Sequence, residues 1–179
     1  KVNAHIKEKY GKEITIASNG NIREDIIEGS KTGKRFASIP FFTLDAEGNR
    51  GMARRQCTNE YKIIPVNKKI RELLGYAPRK RVKEIVHLWK GISNDEIQRV
   101  KPSREIWQVA EHPLVDIVDI DREGCIKYVE NEGLGTPPKS SCIGCPLHND
   151  VMWREMKVDD PESWADAVEV DAVIRQMPR

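Results

Sequence analysis

The sequence predicts an α/β layered fold with a mostly parallel sheet flanked by helices, formed by a single domain over residues 1–179. Two observations support this prediction. Short apolar or β-branched runs alternate along the chain with segments of helical spacing, and glycines or prolines punctuate the boundaries between them. In addition, no run of about 18 apolar residues, internal repeat or heptad array is present. We therefore expect neither a membrane-spanning helix nor a coiled coil.

The N-terminal third is predicted to be mainly helical. Apolar residues at helical spacing predict a helix over residues 1–10, and a β-branched run predicts a strand over 13–17. Asn21 is the expected N-cap of a helix over 21–28. Residues 29–56 are rich in Gly, Ser, Lys and Arg, and we interpret them as a long functional loop.

The rest of the chain alternates between the two periodicities. Helices are predicted over 65–74 and 122–130, a buried strand over 83–89, and a short helical turn over 94–99. A last helix is expected over 161–175. The residues of this last helix that are expected to face the core are Trp164, Ala167, Val168 and Ala172.

Four cysteines carry the most specific chemical signal in the sequence. Cys142 and Cys145 form a Cys-x-x-Cys pair in the Pro/Ser/Cys loop over 134–150, and Cys57 and Cys125 lie upstream. A Cys-x-x-Cys pair brings two thiolates within reach of one metal, and two more cysteines can complete a four-sulfur site. The spacing suits tetrahedral zinc or a 4Fe–4S cluster, and leaves thiol redox chemistry as a third option.

Basic residues cluster at two places. Arg50, Arg54 and Arg55 precede Cys57, and a second basic run covers residues 79–83. Either cluster could contact phosphates, although a solvated surface is the simpler interpretation of the second. The sequence opens at Lys1 inside a helical pattern and without a signal-peptide pattern. We therefore expect a fragment of a longer cytoplasmic protein.

Four segments in order resemble the phosphoadenylyl-sulfate (PAPS) reductase-like family of the adenine nucleotide alpha-hydrolase superfamily, of the kind found in phages and bacteria. The segment 55–65, Arg-Gln-Cys-Thr-Asn-Glu-Tyr-Lys-Ile-Ile-Pro, is similar to its Cys-Cys-x-x-Arg-Lys-x-x-Pro motif. The segment 91–96 resembles its Gly-x-Arg-x-x-Glu-Ser motif. His112-Pro113-Leu114 resembles its Pro-Leu turn, and residues 141–146 resemble its Cys-x-x-Cys loop. The resemblance covers about residues 36–175.

This resemblance implies a Rossmann-like adenine nucleotide alpha-hydrolase fold and a metal centre. Cys57, Cys142 and Cys145 match cluster ligands, and Cys125 is our candidate for the fourth ligand of a 4Fe–4S cluster, with zinc as the alternative. A small buried hydrophobic side chain is the competing interpretation of Cys125. His148 could ligate zinc instead.

The resemblance also implies a nucleotide site for ATP or phosphoadenylyl sulfate. Arg55, Lys62 and Arg99 match basic positions in or beside the motifs, and Glu96 could orient a cation or a ribose hydroxyl. A surface ion pair between Glu96 and Arg99 is the alternative. No catalytic residue is assigned from the sequence.

Departures from the family pattern direct the functional expectation. The Ser-Gly-Gly-x-Asp-Ser phosphate loop is missing, and we expect its strand–loop–helix unit upstream of Lys1. Thr58 replaces the second adjacent cysteine, and no cysteine follows Cys145. We therefore expect ATP-dependent sulfur transfer to a nucleic acid, with a sulfur-donor protein as a further partner and the host cytosol as the location. The alternatives are a PAPS reductase and a non-catalytic, nucleotide-binding phage protein with a structural metal.

Overall fold

The computed structural model describes residues 1–33, 39–137 and 141–175, and these residues form a mixed α/β structure. Within them lie seven α-helices and two small sheets of two strands each. The α-helices are α1 (Val2–Tyr10), α2 (Ile22–Thr32), α3 (Ile64–Leu73), α4 (Pro113–Asp116), α5 (Arg122–Asn131), α6 (Asp150–Asp159) and α7 (Pro161–Arg175). The strands are β1 (Phe42–Leu44), β2 (Arg50–Met52), β3 (Val86–Trp89) and β4 (Gln108–Glu111).

The chain divides into two compact units, each made of two separate stretches of sequence. The first unit comprises Lys1–Thr15 and Arg71–Lys139, and the second comprises Ile16–Ile70 and Ser140–Arg179. Helix α3 contributes residues to both. The prediction of a single domain over 1–179 stays a prediction.

The first unit is built on the parallel pair of strands β3 and β4. Val86 pairs with Gln108 at one end of the pair and Trp89 pairs with Glu111 at the other. A 3₁₀ helix, Asn94–Arg99, follows β3, whereas α4 and α5 follow β4. This confirms an α/β structure with parallel strands, at a coarser level than the predicted fold.

The second unit packs helices α2, α6 and α7 around a small apolar core. Ile26, Ile39 and Val170 are buried together in this core. Arg23 of α2 forms ion pairs with two acidic residues of α7, Asp166 and Glu169. Apolar contact and charge pairing therefore both hold α2 against α7.

Several predicted elements are confirmed. Helices lie where the sequence predicted them near residues 1–10, 21–28, 65–74, 122–130 and 161–175. The Asn21 side chain accepts a hydrogen bond from the Arg23 N–H at 3.0 Å, as an N-cap should.

Other expectations were wrong. Residues 13–17 form no strand, although they are β-branched, because no neighbouring strand pairs with them. The predicted long loop contains the antiparallel hairpin of β1 and β2, whose turn is closed by the Asn49 N–H bonded to the Asp45 carboxylate at 2.7 Å. Part of that loop, residues 34–38, lies outside the described residues.

Helices α6 and α7 also differ from expectation. Helix α6 was not predicted, and its N-cap is Asn149, whose side chain accepts a hydrogen bond from the Met152 N–H at 2.9 Å. In α7 the buried residues are Ala167 and Val170, not the exposed Val168 and Ala172. The buried stripe follows the contact with α2, which the apolar pattern of α7 alone does not specify.

Candidate functional site

Two of the family-like segments begin at the same edge of the parallel strands in the first unit. Residues 91–96 follow β3, and His112-Pro113-Leu114 follows β4. The Lys90 N–H donates to the Glu111 carbonyl at 2.9 Å, so the two chains are still paired where the segments start. In α/β proteins, ligands bind outside the carboxyl ends of parallel strands. This strand edge is therefore the first candidate site.

The segment after β3 is held in place by hydrogen bonds to the start of α5. The Asn94 N–H donates to the Ile120 carbonyl at 3.0 Å, and the Arg122 N–H donates to the Asp95 carboxylate at 2.8 Å. A hydrogen bond from the buried Ser93 lowers the pKa of Asp95, and the bond from Arg122 acts in the same direction. Asp95 is therefore a carboxylate at neutral pH, ordered by two donors.

Glu96 and Arg99 form an ion pair at 2.7 Å on the 3₁₀ helix. This is the surface pair that was the alternative to a nucleotide role. The Arg99 side chain is 65% exposed, so it remains accessible to an anion. An exposed pair of this kind contributes little to stability, and exchanging the carboxylate for a phosphate costs correspondingly little.

His112 is a buried residue at this edge that the sequence analysis named only as part of a motif. It is 5% exposed, and within the described chain its ring nitrogen Nε2 has no hydrogen-bond partner. Buried polar atoms are nearly always hydrogen-bonded in native proteins. An orphan imidazole nitrogen at a strand edge is therefore a plausible contact for a ligand. Its only sequence signal is a His-Pro pair directly after a short apolar run.

Glu111, the last residue of β4, presents a second ordered carboxylate. It accepts hydrogen bonds from His87 Nδ1 at 2.6 Å and from Trp89 Nε1 at 2.7 Å. These bonds, that from His87 first, lower the pKa of Glu111. The sequence analysis missed this residue because cross-strand neighbours become visible only once the register of β3 and β4 is known.

Cys125 lies on α5 of the first unit and is partly buried. Burial raises the pKa of its thiol, and the carboxylates of Asp121 and Asp95 raise it further. A thiol in acidic surroundings stays protonated and is a poor nucleophile. This environment fits the small buried side chain that was the competing interpretation of Cys125.

The other three cysteines belong to the second unit. Cys57 is partly buried and packs against the core of Ile26, Ile39 and Val170. Cys142 is exposed, and the Cys145 N–H donates to its carbonyl at 3.1 Å in a turn. A Cβ atom on Gly144, between these two cysteines, would lie 3.9 Å from Val170. Cys57 and the cysteine loop thus approach the same apolar core.

The described residues contain no group of three or more His, Cys, Asp and Glu side chains that is arranged to hold a metal ion. All four cysteines are among the residues searched. The placement of the thiols therefore does not fit the predicted four-sulfur centre. That centre stays a prediction from the sequence, and no chemical step below depends on it.

The remaining predicted nucleotide ligands, Arg55 and Lys62, are both exposed in the second unit. Lys62 lies in a π-helical turn, Asn59–Ile63, immediately before α3. In the same turn the Tyr61 hydroxyl donates to the Asp25 carboxylate. Burial and this hydrogen bond both raise the pKa of Tyr61. The turn is thus anchored to α2, which orders the neighbouring cations.

The second unit also contains a cavity of about 410 Å³ beside the cysteine loop. Gly144 and Pro146 of that loop line one part of it. The rings of Trp153 and Trp164 line another and meet edge to face, with centroids 6.1 Å apart. His148 contacts Trp153, with ring centroids 4.7 Å apart. The sequence could not predict the cavity, because α6, which carries Trp153, was not foreseen.

Comparisons with protein-family models, curated proteins and solved structures find no match to this chain. In the part of the chain that the structure describes, no helix has both the length and the apolar character needed to cross a membrane.

Proposed function

We propose that this protein is a PAPS reductase-like enzyme of the adenine nucleotide alpha-hydrolase type, with a Rossmann-like fold, that transfers sulfur to a nucleic acid at the expense of ATP. The observation that carries the proposal is the strand edge of the first unit. Two family-like segments leave the carboxyl ends of paired parallel strands there, which is where such folds bind nucleotides.

In the proposed reaction, an oxygen of the acceptor attacks the α-phosphorus of ATP. Pyrophosphate leaves with the electron pair of the broken P–O bond, and the acceptor is adenylated. A hydrosulfide or an equivalent sulfur nucleophile then attacks the activated carbon, a C–S bond forms, and AMP leaves with the C–O electron pair. Sulfur keeps its oxidation state, so the transfer itself consumes no reductant.

The residues at the strand edge have separate roles in this proposal. Arg99 exchanges Glu96 for a phosphate oxygen, and its guanidinium can form charge-assisted hydrogen bonds to it. The hydrogen bonds from Ser93 and Arg122 hold Asp95, and with it the loop on which Arg99 lies. His112 supplies the buried nitrogen that accepts a hydrogen bond or a proton.

Arg55 and Lys62 are proposed to bind phosphates as well, because their motif positions match basic residues of the family. Their exposure leaves both available to an anion. The proposal does not assign them to the same phosphate as Arg99.

Calorimetry with the full-length encoded protein and ATP tests the nucleotide site. We expect the Arg99→Ala and Lys62→Ala variants each to bind ATP about 10- to 100-fold more weakly, which is the usual loss for a hydrogen bond to a charged group. Lys127→Ala is the matched control for Arg99, because Lys127 forms a comparable exposed pair with Glu123, also at 2.7 Å. Equal ATP affinity in all three variants and the wild type would refute the assigned cations.

A paired activity assay separates sulfur transfer from sulfate reduction. One reaction contains ATP, a nucleic acid and sulfide, and the other contains phosphoadenylyl sulfate with thioredoxin. We expect AMP, pyrophosphate and thiolated nucleic acid in the first and little sulfite in the second. Rapid sulfite release without ATP cleavage would replace the proposal with a PAPS reductase. Nucleotide binding without either activity would favour the non-catalytic alternative.

A further inference from the structure

We propose that the cavity beside the cysteine loop binds a single unstacked nucleobase that carries an exocyclic amine, such as cytosine. This deepens the proposed function, on which it rests for the nucleic-acid acceptor, by identifying where a base of that acceptor would be held. The cavity lies wholly within the second unit and is formed by described residues.

The size and the walls of the cavity suit a flat ring. Its volume of about 410 Å³ lies within the range of about 300–1,000 Å³ typical of small-molecule sites. Phe41, Trp153 and Trp164 supply aromatic surface, while the other lining side chains are mostly aliphatic. Aromatic side chains are the usual platforms for unstacked bases, because every base has a π face.

One carboxylate among the lining residues gives the cavity a polar preference. Asp171 lies on α7, is about half exposed, and accepts a hydrogen bond from Arg175 at 2.6 Å through one oxygen, Oδ2. Its carboxylate can accept a further hydrogen bond from a ligand amine. Asp and Glu pair in this way with the N4 amine of cytosine, whereas uracil has no exocyclic amine to donate.

The surroundings of the cavity suit a nucleotide. Lys157 places its ammonium 5.6 Å from the centroid of the Trp164 ring, so a cation lies beside the aromatic wall. Such a cation can contact the phosphate attached to a bound base. On another side, Gly144 and Pro146 place the Cys142–Cys145 turn next to the cavity. A base held here would lie beside two thiols.

Fluorescence anisotropy with labelled single strands, in the absence of ATP, tests this site. We expect an oligocytidine strand to bind more tightly than an oligouridine strand or a strand with abasic residues. Trp153→Leu keeps apolar volume but removes an aromatic face, and should weaken oligocytidine binding by at least about fivefold. Competition by cytidine monophosphate would identify a free nucleotide as the source of the base. Its absence would identify the strand.

The carboxylate is tested by a pair of variants that break the same ion pair. Asp171→Asn changes the group in the cavity, whereas Arg175→Gln removes only its partner. We expect Asp171→Asn to reduce the preference for cytidine over uridine and Arg175→Gln to retain it. Equal binding of cytidine, uridine and abasic strands, or equal effects of the two variants, would overturn the proposal. Because ATP is absent, loss of ATP-dependent activity leaves this result unaffected.

Discussion

The carboxylate of Asp95 accepts a hydrogen bond from the backbone N–H of Arg122 at 2.8 Å, which ties the segment after β3 to the first turn of α5. The two residues are separated in sequence by the whole of β4 and α4. The bond therefore joins the predicted nucleotide segment to the helix that carries Cys125. It also satisfies one of the backbone donors that every helix leaves unpaired at its start.

Asp95→Ala should loosen this connection, whereas Asp95→Asn should largely preserve it, because an amide oxygen also accepts the Arg122 N–H. We expect the alanine variant to bind ATP more weakly and to melt at a lower temperature than the asparagine variant. Calorimetry and thermal unfolding followed by circular dichroism measure the two effects. If the two variants match each other in both measurements, the bond does not position the loop.

The core of the second unit depends on Ile26, which is 2% exposed and the only fully buried large side chain among the described residues. Ile26→Ala removes three carbons from the contact between α2 and α7 and should cost about 2–5 kcal/mol, whereas Ile26→Val should cost about 0.5–1.5 kcal/mol. Urea unfolding of both variants tests the ranking. The exposed Ile16→Ala is the control, at 84% exposure. A loss for Ile26→Ala no larger than that of the control would contradict this core.

The thiols should differ in reactivity because their environments differ. Cys142 is exposed, whereas burial and the nearby carboxylates of Asp121 and Asp95 raise the pKa of Cys125. We therefore expect a maleimide at neutral pH to label Cys142 well before Cys125, and labelling of Cys125 to accelerate as the pH rises. Mass spectrometry of peptides from timed reactions measures the order. Faster labelling of Cys125 would contradict its described surroundings.

The same reaction on protein purified anaerobically tests the metal centre predicted from the sequence. A bound zinc ion or 4Fe–4S cluster would protect Cys57, Cys142 and Cys145 together, and metal and sulfide analysis would detect it. With the thiols placed as they are here, we expect Cys142 to react without prior removal of metal. Joint protection that is lost on treatment with a chelator would establish the centre and show that the thiols converge.

The sequence was most informative where a single segment determines its own structure. Helix α7 begins at a proline and runs over the predicted residues, and Asn21 caps α2 as expected. It was least informative where distant segments decide the outcome. Residues Gln108–Glu111 become a strand only because β3 pairs with them, and the polar ends of that run hide its apolar centre.

The candidate site shows the same division. Glu96 and Arg99 were identified from a motif, and their ion pair follows directly from their spacing on one helical turn. The buried nitrogen of His112 and the doubly bonded carboxylate of Glu111 depend on tertiary packing, so the sequence gave no separate signal for them. The cavity required an unforeseen helix, α6, to supply Trp153.

Glu132 gives the first unit a dependence on acid. It pairs with Lys9 of α1 and with His5 Nε2 at 3.2 Å, and the hydrogen bond from Lys9 is the main cause that lowers the pKa of Glu132 below 4.5. A carboxyl whose pKa is lower in the folded state stabilises the fold above its unfolded pKa. That contribution is lost as the pH falls through the folded value. We therefore expect the unfolding midpoint to decrease as the pH falls below about 4.5, with Glu132 contributing to the decrease.

Glu132→Gln removes this contribution, so the variant should be less stable than the wild type at pH 7, and the difference should shrink as the pH falls below about 4.5. Glu123→Gln is the control, because Glu123 pairs with Lys127 within one helix and joins no separate elements. Urea midpoints measured for the three proteins across this pH range test the assignment. A difference between Glu132→Gln and the wild type that stays constant through acid pH would mean that the charge on Glu132 does not hold α1 to the end of α5.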